Sequence, residues 1–489
     1  MEPISTAANP VFALGLDLPP KKSRLLLREL HRQLREAILA GRLRSGLRLP
    51  STRDLAAGLG VSRNTAIAAY DLLLAEGYLT ARRGAGTFVA ERSGQPPPSG
   101  DGPFEAPDPR LPPPRSMAFL PRPGPAGPFG LDLRLGLPDK ALFPFDAWRR
   151  LSNRELRRLA ARPAAYLDPA GPESLRVAIA SHVSFTRAVA CRPEDVIVTA
   201  GAQQAFDILA RTFIRPGRNV VAVEDPGYPP LRAAFAAAGA EVRPVPVDAE
   251  GLTVGAIPEA AAAVCVTPSH QFPTGVAMSP ERRHALLDFA RRTGSVIVED
   301  DYDGEFRHGG RPLDALQTLD RNGSVFYCGT FSKSLFPALR LGFLIAPAWA
   351  RAALLETRRI ADWHGSALPQ LTLAGFIEEG HLMRHIRRMR RVYAARRESL
   401  LAALAEHCRG RLEVLPSEAG LHLAARTVGG ANAEELVRTA AGLGIALEPL
   451  ARYALTSGDH TDGIALAFAN AQADAIAAGI ERLGDALRR

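Results

Sequence analysis

One stretch of the sequence combines a reactive amine with groups that bind phosphate. Residues 329–340 read GTFSKSLFPALR, so Lys333 lies between two serines and Arg340 follows seven residues later. Lysine forms Schiff bases with aldehydes, and arginine binds phosphate through paired hydrogen bonds. An amine for the aldehyde and a guanidinium for the phosphate are what pyridoxal phosphate requires of a protein. The stretch therefore indicates a pyridoxal phosphate site, with a solvated surface lysine as the simpler alternative.

An acidic segment upstream offers partners for the ring of that cofactor. Residues 295–298 predict a buried strand that delivers Asp300 and Tyr302 to its carboxyl end. Asp300 would keep the pyridine nitrogen protonated, so that the ring withdraws electrons, and Tyr302 would contact the ring hydroxyl. Taken alone, such a segment is more typical of a metal site or a solvated loop. Lys333 follows 33 residues after Asp300, beyond one further strand at 324–328, which favours the cofactor.

Two other predicted strands end in residues suited to a ligand. The strand at 196–199 runs into a helix start at 200–204, where small residues let backbone N–H groups approach a phosphate. A tight turn without a ligand is the alternative for this junction. The strand at 219–224 leads to Tyr228, which we expect on a loop at the carboxyl edge of the sheet, where ligands bind in open α/β folds.

The composition is that of a globular protein of about three folding units. The chain has 489 residues, 46% hydrophobic and 23% charged. No apolar run approaches the ~18 residues of a membrane span, and the N-terminus lacks the order of a secretory signal. The four cysteines are far apart, which favours neither a disulfide framework nor a zinc site. We therefore expect a cytoplasmic protein without a membrane partner.

The positive charge is concentrated near the N-terminus. Of the net charge of +9, residues 21–83 carry +8, from thirteen Lys and Arg against five Asp and Glu. Apolar spacing predicts a helix over 21–40, and a second helix begins near Ser51. Ser62 is a good N-cap for a third helix, so the pattern is a helix-turn-helix, with a plain three-helix bundle as the alternative. Two short strands at 77–80 and 86–90 follow, as in a wing with a basic tip.

Residues 21–90 closely resemble the winged-helix domain of the GntR regulators. The resemblance rests on LPSTRDLA, VSRNT, GYL and GAGTFV, in that order. It implies binding to a double-stranded DNA operator, and Ile67 replaces an arginine that contacts DNA in some members. The residues that the resemblance assigns to DNA are Arg53, Ser62, Arg63, Asn64, Thr65, Arg83 and Gly84.

Thirteen prolines in residues 91–130 indicate a semi-stiff linker. From residue 131, strands alternate with helices, which indicates an α/β body with a mostly parallel sheet. This body resembles the fold-type-I transferases that depend on pyridoxal phosphate, with helices on both sheet faces and a small C-terminal subdomain from about residue 370. The whole chain therefore resembles the MocR branch of the GntR regulators: a tail (1–20), a DNA-binding head (21–90), the linker, and a body (131–489).

The resemblance of the body implies roles for single residues and a homodimer. Lys333 would form the Schiff base, Asp300 and Tyr302 would contact the ring, and Tyr228 would stack on it. The residues expected at the phosphate are Gly201, Ala202, Gln203, Thr330, Ser332 and Arg340.

Two departures argue against amino-acid turnover. Enzymes of this fold place asparagine where Phe272 stands, and they carry a carboxylate-binding arginine that is absent from residues 463–468. Arg452 is a possible substitute. His381 and His385, four residues apart, lack a third ligand, so no metal is predicted. The arginine-rich segment 384–397 is interpreted as a packed helix with a solvated basic face, with a second DNA track as the alternative.

These patterns lead to a regulator that binds DNA and pyridoxal phosphate. We expect it to sense the cofactor, or an amino acid or amine that reacts with it, and to control genes of vitamin B6, amino-acid or amine metabolism. An active aminotransferase with an accessory DNA-binding domain is the first alternative. A repressor whose body is a ligand-free dimerisation scaffold is the second.

Overall fold

The computed structural model describes residues 9–20, 23, 25–82, 84–90, 118–120, 129–309, 314–458 and 461–488. The chain forms two compact units, Met1–Pro112 and Pro113–Arg489, and each is described by itself. The first contains the head and the second the body. In the described residues, no helix has the length and apolar character needed to cross a membrane.

The head is a three-helix unit with a β-hairpin. Its core includes Leu30, Leu34 and Leu73, and it also contains Val11, so part of the predicted tail packs on the head. Each of the last two helices begins after a serine whose hydroxyl accepts a hydrogen bond from a backbone N–H in the first turn. The elements of the head are α1 (Leu26–Leu39), α2 (Thr52–Leu59), α3 (Arg63–Ala75), β1 (Leu79–Arg82) and β2 (Gly86–Val89).

The body is built on an eight-stranded sheet that is mostly parallel. The strand order is β4-β11-β10-β9-β8-β5-β6-β7, and β11 and β7 run antiparallel to their neighbours. The strands of this sheet are β4 (Val196–Thr199), β5 (Val220–Asp225), β6 (Glu241–Asp248), β7 (Gly251–Leu252), β8 (Ala261–Val266), β9 (Val296–Asp301), β10 (Val325–Thr330) and β11 (Gly342–Ile345).

Helices cover both faces of this sheet, because alternate residues of each strand point to opposite sides. On β4, Ile197 packs in one core and Val196 and Val198 in another. The helices of the large part of the body are α4 (Phe145–Ala160), α5 (Glu173–Arg187), α6 (Ala202–Phe213), α7 (Pro229–Ala237), α8 (Pro280–Thr293), α9 (Leu316–Leu319), α10 (Arg351–Asp362) and α11 (Ala367–Glu378).

A smaller C-terminal subdomain packs its own core around a four-stranded sheet of order β12-β13-β16-β15. The segment that follows the linker joins this subdomain, since β3 pairs with β14 and Leu133 is buried in the same core. The elements are β3 (Leu131–Asp132), α12 (His381–His407), β12 (Leu412–Val414), β13 (His422–Thr427), α13 (Ala433–Gly442), β14 (Ile445–Ala446), β15 (Glu448–Pro449), β16 (Gly463–Ala467) and α14 (Ala473–Arg488).

The arginine-rich segment lies in α12, whose apolar side is buried through residues such as Leu382 and Ile386. Arg396 is also buried, and its Nη2 donates to the Asp139 carboxylate at 2.7 Å. Other arginines, including Arg388, are exposed. The helix is therefore packed on one side and basic on the other, as the first interpretation predicts.

Candidate functional site

The carboxyl ends of several strands of the large sheet open into one cavity of about 390 Å³. The strands β9 and β10 are adjacent and parallel, so Asp300 and the loop after Thr330 lie at the same edge. Nine of the ten predicted cofactor residues line this cavity; Gly201, the tenth, directly precedes helix α6 at its wall. The nine are Ala202, Gln203, Tyr228, Asp300, Tyr302, Thr330, Ser332, Lys333 and Arg340.

Lys333 places its side-chain amine at the cavity. Its Nζ donates to the backbone oxygen of Gly136 at 2.6 Å. Burial lowers the pKa of the Lys333 amine, and the charges of Asp303 and Asp300 oppose that shift. A lowered pKa raises the fraction of unprotonated amine, which is the form that attacks a carbonyl carbon.

The three aspartates of the segment after β9 have three different surroundings. Asp301 accepts hydrogen bonds from the Arg187 guanidinium and the Tyr327 hydroxyl, each at 2.6 Å. Asp303 contacts a histidine, which is described below. The Oδ1 atom of Asp300 is buried and finds no hydrogen-bond partner in the described part of the chain. Burial first, and then the charges of the other two aspartates, raise the pKa of Asp300 well above its usual value.

The opposite end of the cavity has the features of an anion site. Helix α6 begins at Ala202, so its free backbone N–H groups and the positive end of its dipole face the cavity. The Arg340 guanidinium donates to the Ala200 carbonyl at 2.7 Å. Gly201 has a φ of 77°, and a Cβ there would lie 2.9 Å from Arg340 Nη2, so glycine is required. A hydrogen bond of 3.0 Å joins the hydroxyls of Thr330 and Ser332 beside the arginine.

An aromatic wall stands where the asparagine of the enzymes would be. The Phe272 ring packs edge-on against Tyr228, Tyr302 and Tyr453, with centroids 5.2, 5.9 and 5.0 Å away. Burial raises the pKa of Tyr228 to about 12, so its hydroxyl stays protonated at neutral pH. Phe272 cannot donate a hydrogen bond, which leaves Tyr302 as the predicted contact for the ring hydroxyl.

The substitute arginine also reaches the cavity. Arg452 Nε lies 3.2 Å from Glu448 Oε1, while the Tyr453 hydroxyl donates to the other carboxylate oxygen at 2.6 Å. The Arg452 Nη groups make no hydrogen bond within the described residues, and Arg452 lines the cavity. The arginine-free stretch 463–468 contains strand β16.

Sequence reasoning missed several residues of the wall, including Gly136, Glu448 and His422, and it also missed His270, which contacts Tyr302. Ligand atoms of His270, Asp303 and His422, all buried, lie within 4.8 Å of one another and are close enough to hold a metal ion. His381 and His385, for which no metal was predicted, are placed differently: His385 packs on Phe143, and burial lowers its pKa to about 4. The sequence does contain a pointer to His270, because this residue stands two positions before Phe272, which the sequence analysis places in the cofactor site.

The head places the predicted DNA residues around the start of α3. Arg63 and Asn64 are exposed in its first turn, and the Ser62 hydroxyl accepts from Thr65 N at 3.1 Å as the N-cap. Arg53 is exposed on α2. Gly84 lies in the hairpin turn with a φ of 77°, and Arg83 lies outside the described residues. The start of α3 therefore offers free N–H groups and polar side chains to a phosphate or a base edge.

Comparison with known proteins identifies both parts. Residues 26–89 match the bacterial regulatory proteins of the gntR family, and residues 132–443 match aminotransferase class I and II. The chain is 38% identical over 474 residues to the probable rhizopine catabolism regulatory protein MocR of Rhizobium meliloti, which covers 94% of this chain and 93% of that protein. The chain belongs to the MocR-type branch of the GntR transcriptional regulators.

Two further similarities bear on this MocR-type regulator. It is 35% identical over 409 residues to the pyridoxine biosynthesis regulator PdxR of Corynebacterium glutamicum, covering 84% of this chain and 85% of that protein. The crystal structure of LysN, the α-aminoadipate aminotransferase of Thermus thermophilus complexed with N-(5′-phosphopyridoxyl)-L-leucine, has a TM-score of 0.66 at 30% identity and covers 73% of this chain and 92% of that one. The predicted fold class, DNA-binding function and pyridoxal phosphate cofactor are confirmed.

The cavity of this MocR-type regulator fits that cofactor on its own chemistry. The partnerless Asp300 oxygen suits a protonated ring nitrogen, the Lys333 amine suits the aldehyde, and the start of α6 with Arg340 suits the phosphate. The three groups surround one cavity, so a single molecule can engage all of them.

Proposed function

We propose that this MocR-type regulator senses pyridoxal phosphate, or an amino compound that reacts with it, and that occupancy of the cavity changes operator binding by the head. One observation carries the proposal: the Lys333 amine, with a lowered pKa, and a buried, partnerless oxygen of Asp300 belong to the same cavity. A buried oxygen without a partner is costly, and a cofactor with a protonated nitrogen supplies that partner while its aldehyde reacts with the amine.

In this proposal each residue of the wall has one task. Lys333 holds the cofactor covalently, Asp300 accepts from the ring nitrogen, Tyr302 contacts the ring hydroxyl and Tyr228 stacks on the ring. When bound, the cofactor supplies an aldehyde for amines and a ring that withdraws electrons. The residues proposed for the phosphate are Gly201, Ala202, Gln203, Thr330, Ser332 and Arg340.

We propose Arg452 as the contact for the carboxylate of an amino-acid effector. Glu448 holds the guanidinium through Nε and leaves the Nη groups to the cavity, which is the arrangement a bidentate carboxylate contact needs. The effector is then a primary amine with a carboxylate, in addition to the cofactor itself. PdxR, by its name, regulates pyridoxine biosynthesis, and this supports genes of vitamin B6 metabolism as targets.

We also propose a homodimer located in the cytoplasm. The body leaves Tyr166 79% exposed and Trp363 46% exposed, with their ring centroids 5.2 Å apart. Ile360, 83% exposed, lies three residues before Trp363 on the same segment. Such an exposed apolar group marks a contact surface, and a second copy would bring a second head to a two-part operator.

Turnover of amino acids is the second candidate, favoured by the Lys333 amine in an otherwise complete cavity. Phe272 in the wall opposes it, because the ring hydroxyl then has one contact fewer. A keto acid released from an amino acid distinguishes the two functions.

The test is a visible absorbance scan of the purified protein, followed by titration with pyridoxal phosphate and gel-shift measurement at each step. We expect a visible band that grows with cofactor and an operator affinity that changes over the same concentration range. Addition of amino acids should shift the band without releasing keto acid. An operator affinity that stays constant while the band saturates would contradict sensing, and catalytic release of keto acid would favour the enzyme.

A further inference from the structure

A histidine–aspartate pair contacts the hydroxyl of Tyr302, and Asp303 also lines the cavity. Both carboxylate oxygens of Asp303 lie 3.1 Å from His270 Nδ1, and the Tyr302 hydroxyl oxygen lies 2.9 Å from the same nitrogen. His270 is 2% exposed and Asp303 is 1% exposed. One ring nitrogen therefore faces three oxygens, away from water.

This arrangement assigns the protons. A carboxylate only accepts hydrogen bonds, so Nδ1 of His270 must carry the hydrogen that lies between it and Asp303. Tyr302 Oη then accepts a share of the same N–H and keeps its own hydrogen free. Nε2 of His270 is buried and has no hydrogen-bond partner in the described part of the chain, so the ring is held through Nδ1.

The backbone is shaped to admit this ring. Gly420 has a φ of 81°, and a Cβ there would lie 2.0 Å from His270 Cε1 and 2.6 Å from Asp303 Oδ2. Gly275 has a φ of 82°, and a Cβ there would lie 2.9 Å from Ser417 Cβ and 3.2 Å from His270 Nε2. Gly420 therefore leaves the space that the imidazole occupies, and Gly275 lies close to its other edge.

Tyr302 lines the cavity with its hydroxyl in contact with His270, and Phe272 stands in place of the other expected contact for the ring hydroxyl. We propose that His270, fixed by Asp303, is a positioning residue that orients Tyr302 so that its hydroxyl donates into the cavity, toward the ring hydroxyl of pyridoxal phosphate. This inference rests on the proposed placement of the cofactor against Tyr302.

Metal binding is an alternative role for His270 and Asp303. With His422, they are close enough to hold a metal ion. A metal ion bound to Nδ1 of His270 would displace the hydrogen that this nitrogen shares with Asp303 and Tyr302. The proposal therefore predicts that dialysed protein does not take up Zn²⁺ in a way that depends on His270.

A double-mutant cycle on cofactor affinity tests the inference. We expect Tyr302→Phe and His270→Gln each to raise the Kd for pyridoxal phosphate about tenfold, the size of one hydrogen bond to a charged group, and to shift the pH midpoint of the visible band. The double variant should lose no more than Tyr302→Phe alone, because His270 acts through Tyr302. Melting temperatures of the cofactor-free proteins show whether each variant is folded.

His270→Asn is the matched control, since its amide nitrogen occupies the position of Nδ1 while the glutamine amide occupies that of Nε2. It should keep affinity within about threefold of the parent. Should His270→Gln not fold, Asp303→Asn replaces it: the amide would donate to Nδ1, move the ring proton to Nε2 and give the same tenfold loss.

The outcomes separate the inference from the proposed function. Additive losses in the cycle, an unaffected His270→Gln protein, or His270-dependent uptake of Zn²⁺ would overturn the positioning role while leaving the cofactor site intact. If Tyr302→Phe itself changes neither the affinity nor the band, the placement of the cofactor against Tyr302 is wrong, and the inference falls with it.

Discussion

The DNA-binding residues of the head and the cofactor cavity of the body are assembled in opposite ways. The head presents exposed groups that are close in sequence, such as Arg63 and Asn64 in one helical turn capped by Ser62. The cavity is lined by residues from Leu135 to Tyr453, more than 300 positions apart. The exposed charges of the head act through their placement, whereas burial changes the pKa values of Lys333 and Asp300. The DNA-binding surface therefore depends on residues that are neighbours in sequence, whereas the cavity depends on the fold of the whole body.

Lys333→Ala should have the largest effect, because it removes the covalent bond to the cofactor in the body and leaves the head unchanged. We expect no visible band and no cofactor fixed by borohydride, with unchanged operator affinity of the cofactor-free protein. Lys140→Ala is the control, because Lys140 is the other lysine of the body and is exposed. A Lys333→Ala protein that stays yellow after dialysis would refute the assignment.

Arg63→Ala should act on the head alone. Loss of one groove contact is expected to weaken operator binding by about 1–3 kcal/mol in a gel shift. Arg42→Ala, an exposed arginine of the head outside α2 and α3, serves as the control for lost charge. Unchanged affinity would mean that the start of α3 does not contact the operator, and a changed cofactor affinity would break the separation between the two regions.

Asp300→Asn should have the smallest effect: it should raise the stability of the cofactor-free protein and weaken cofactor binding. In the cofactor-free protein the raised pKa of Asp300 means that stability falls as pH rises above about 3.8, since the unfolded chain loses the proton first. Replacing the carboxylate should therefore stabilise the cofactor-free protein at neutral pH, on the order of 1 kcal/mol, while weakening cofactor binding.

Chemical denaturation from pH 4 to 8 checks this prediction, and the exposed Asp146→Asn is its control. A variant less stable than the parent without cofactor would show that Asp300 has a stabilising partner after all.

Local signals explain what the sequence predicted well. Serine caps, glycine turns and strand ends located α2, α3, the hairpin and the loops that carry Asp300 and Lys333, because each depends on neighbouring residues. Long-range contacts explain the rest. No sequence pattern could show that Asp301 pairs with Arg187, that Val11 packs on the head, or that Glu448 and His422 line the cavity.

The choice between lysine and arginine is a further signal in the sequence. Of the 60 Lys and Arg residues only four are lysines, at positions 21, 22, 140 and 333. In a chain that otherwise uses arginine for positive charge, a lysine inside the body indicates a need for an amine that can lose its proton, which guanidinium does not do.

The hydrogen bond from Lys333 to the Gly136 carbonyl ties the reactive nitrogen to the first turn of chain after the linker. A carbon that bonds to that nitrogen replaces hydrogens on it, so fewer remain to donate to the carbonyl. If none is left pointing at Gly136, its carbonyl requires water or another donor. Covalent modification of Lys333 would therefore change the hydrogen bonding of the turn directly after β3, the strand at which the body begins.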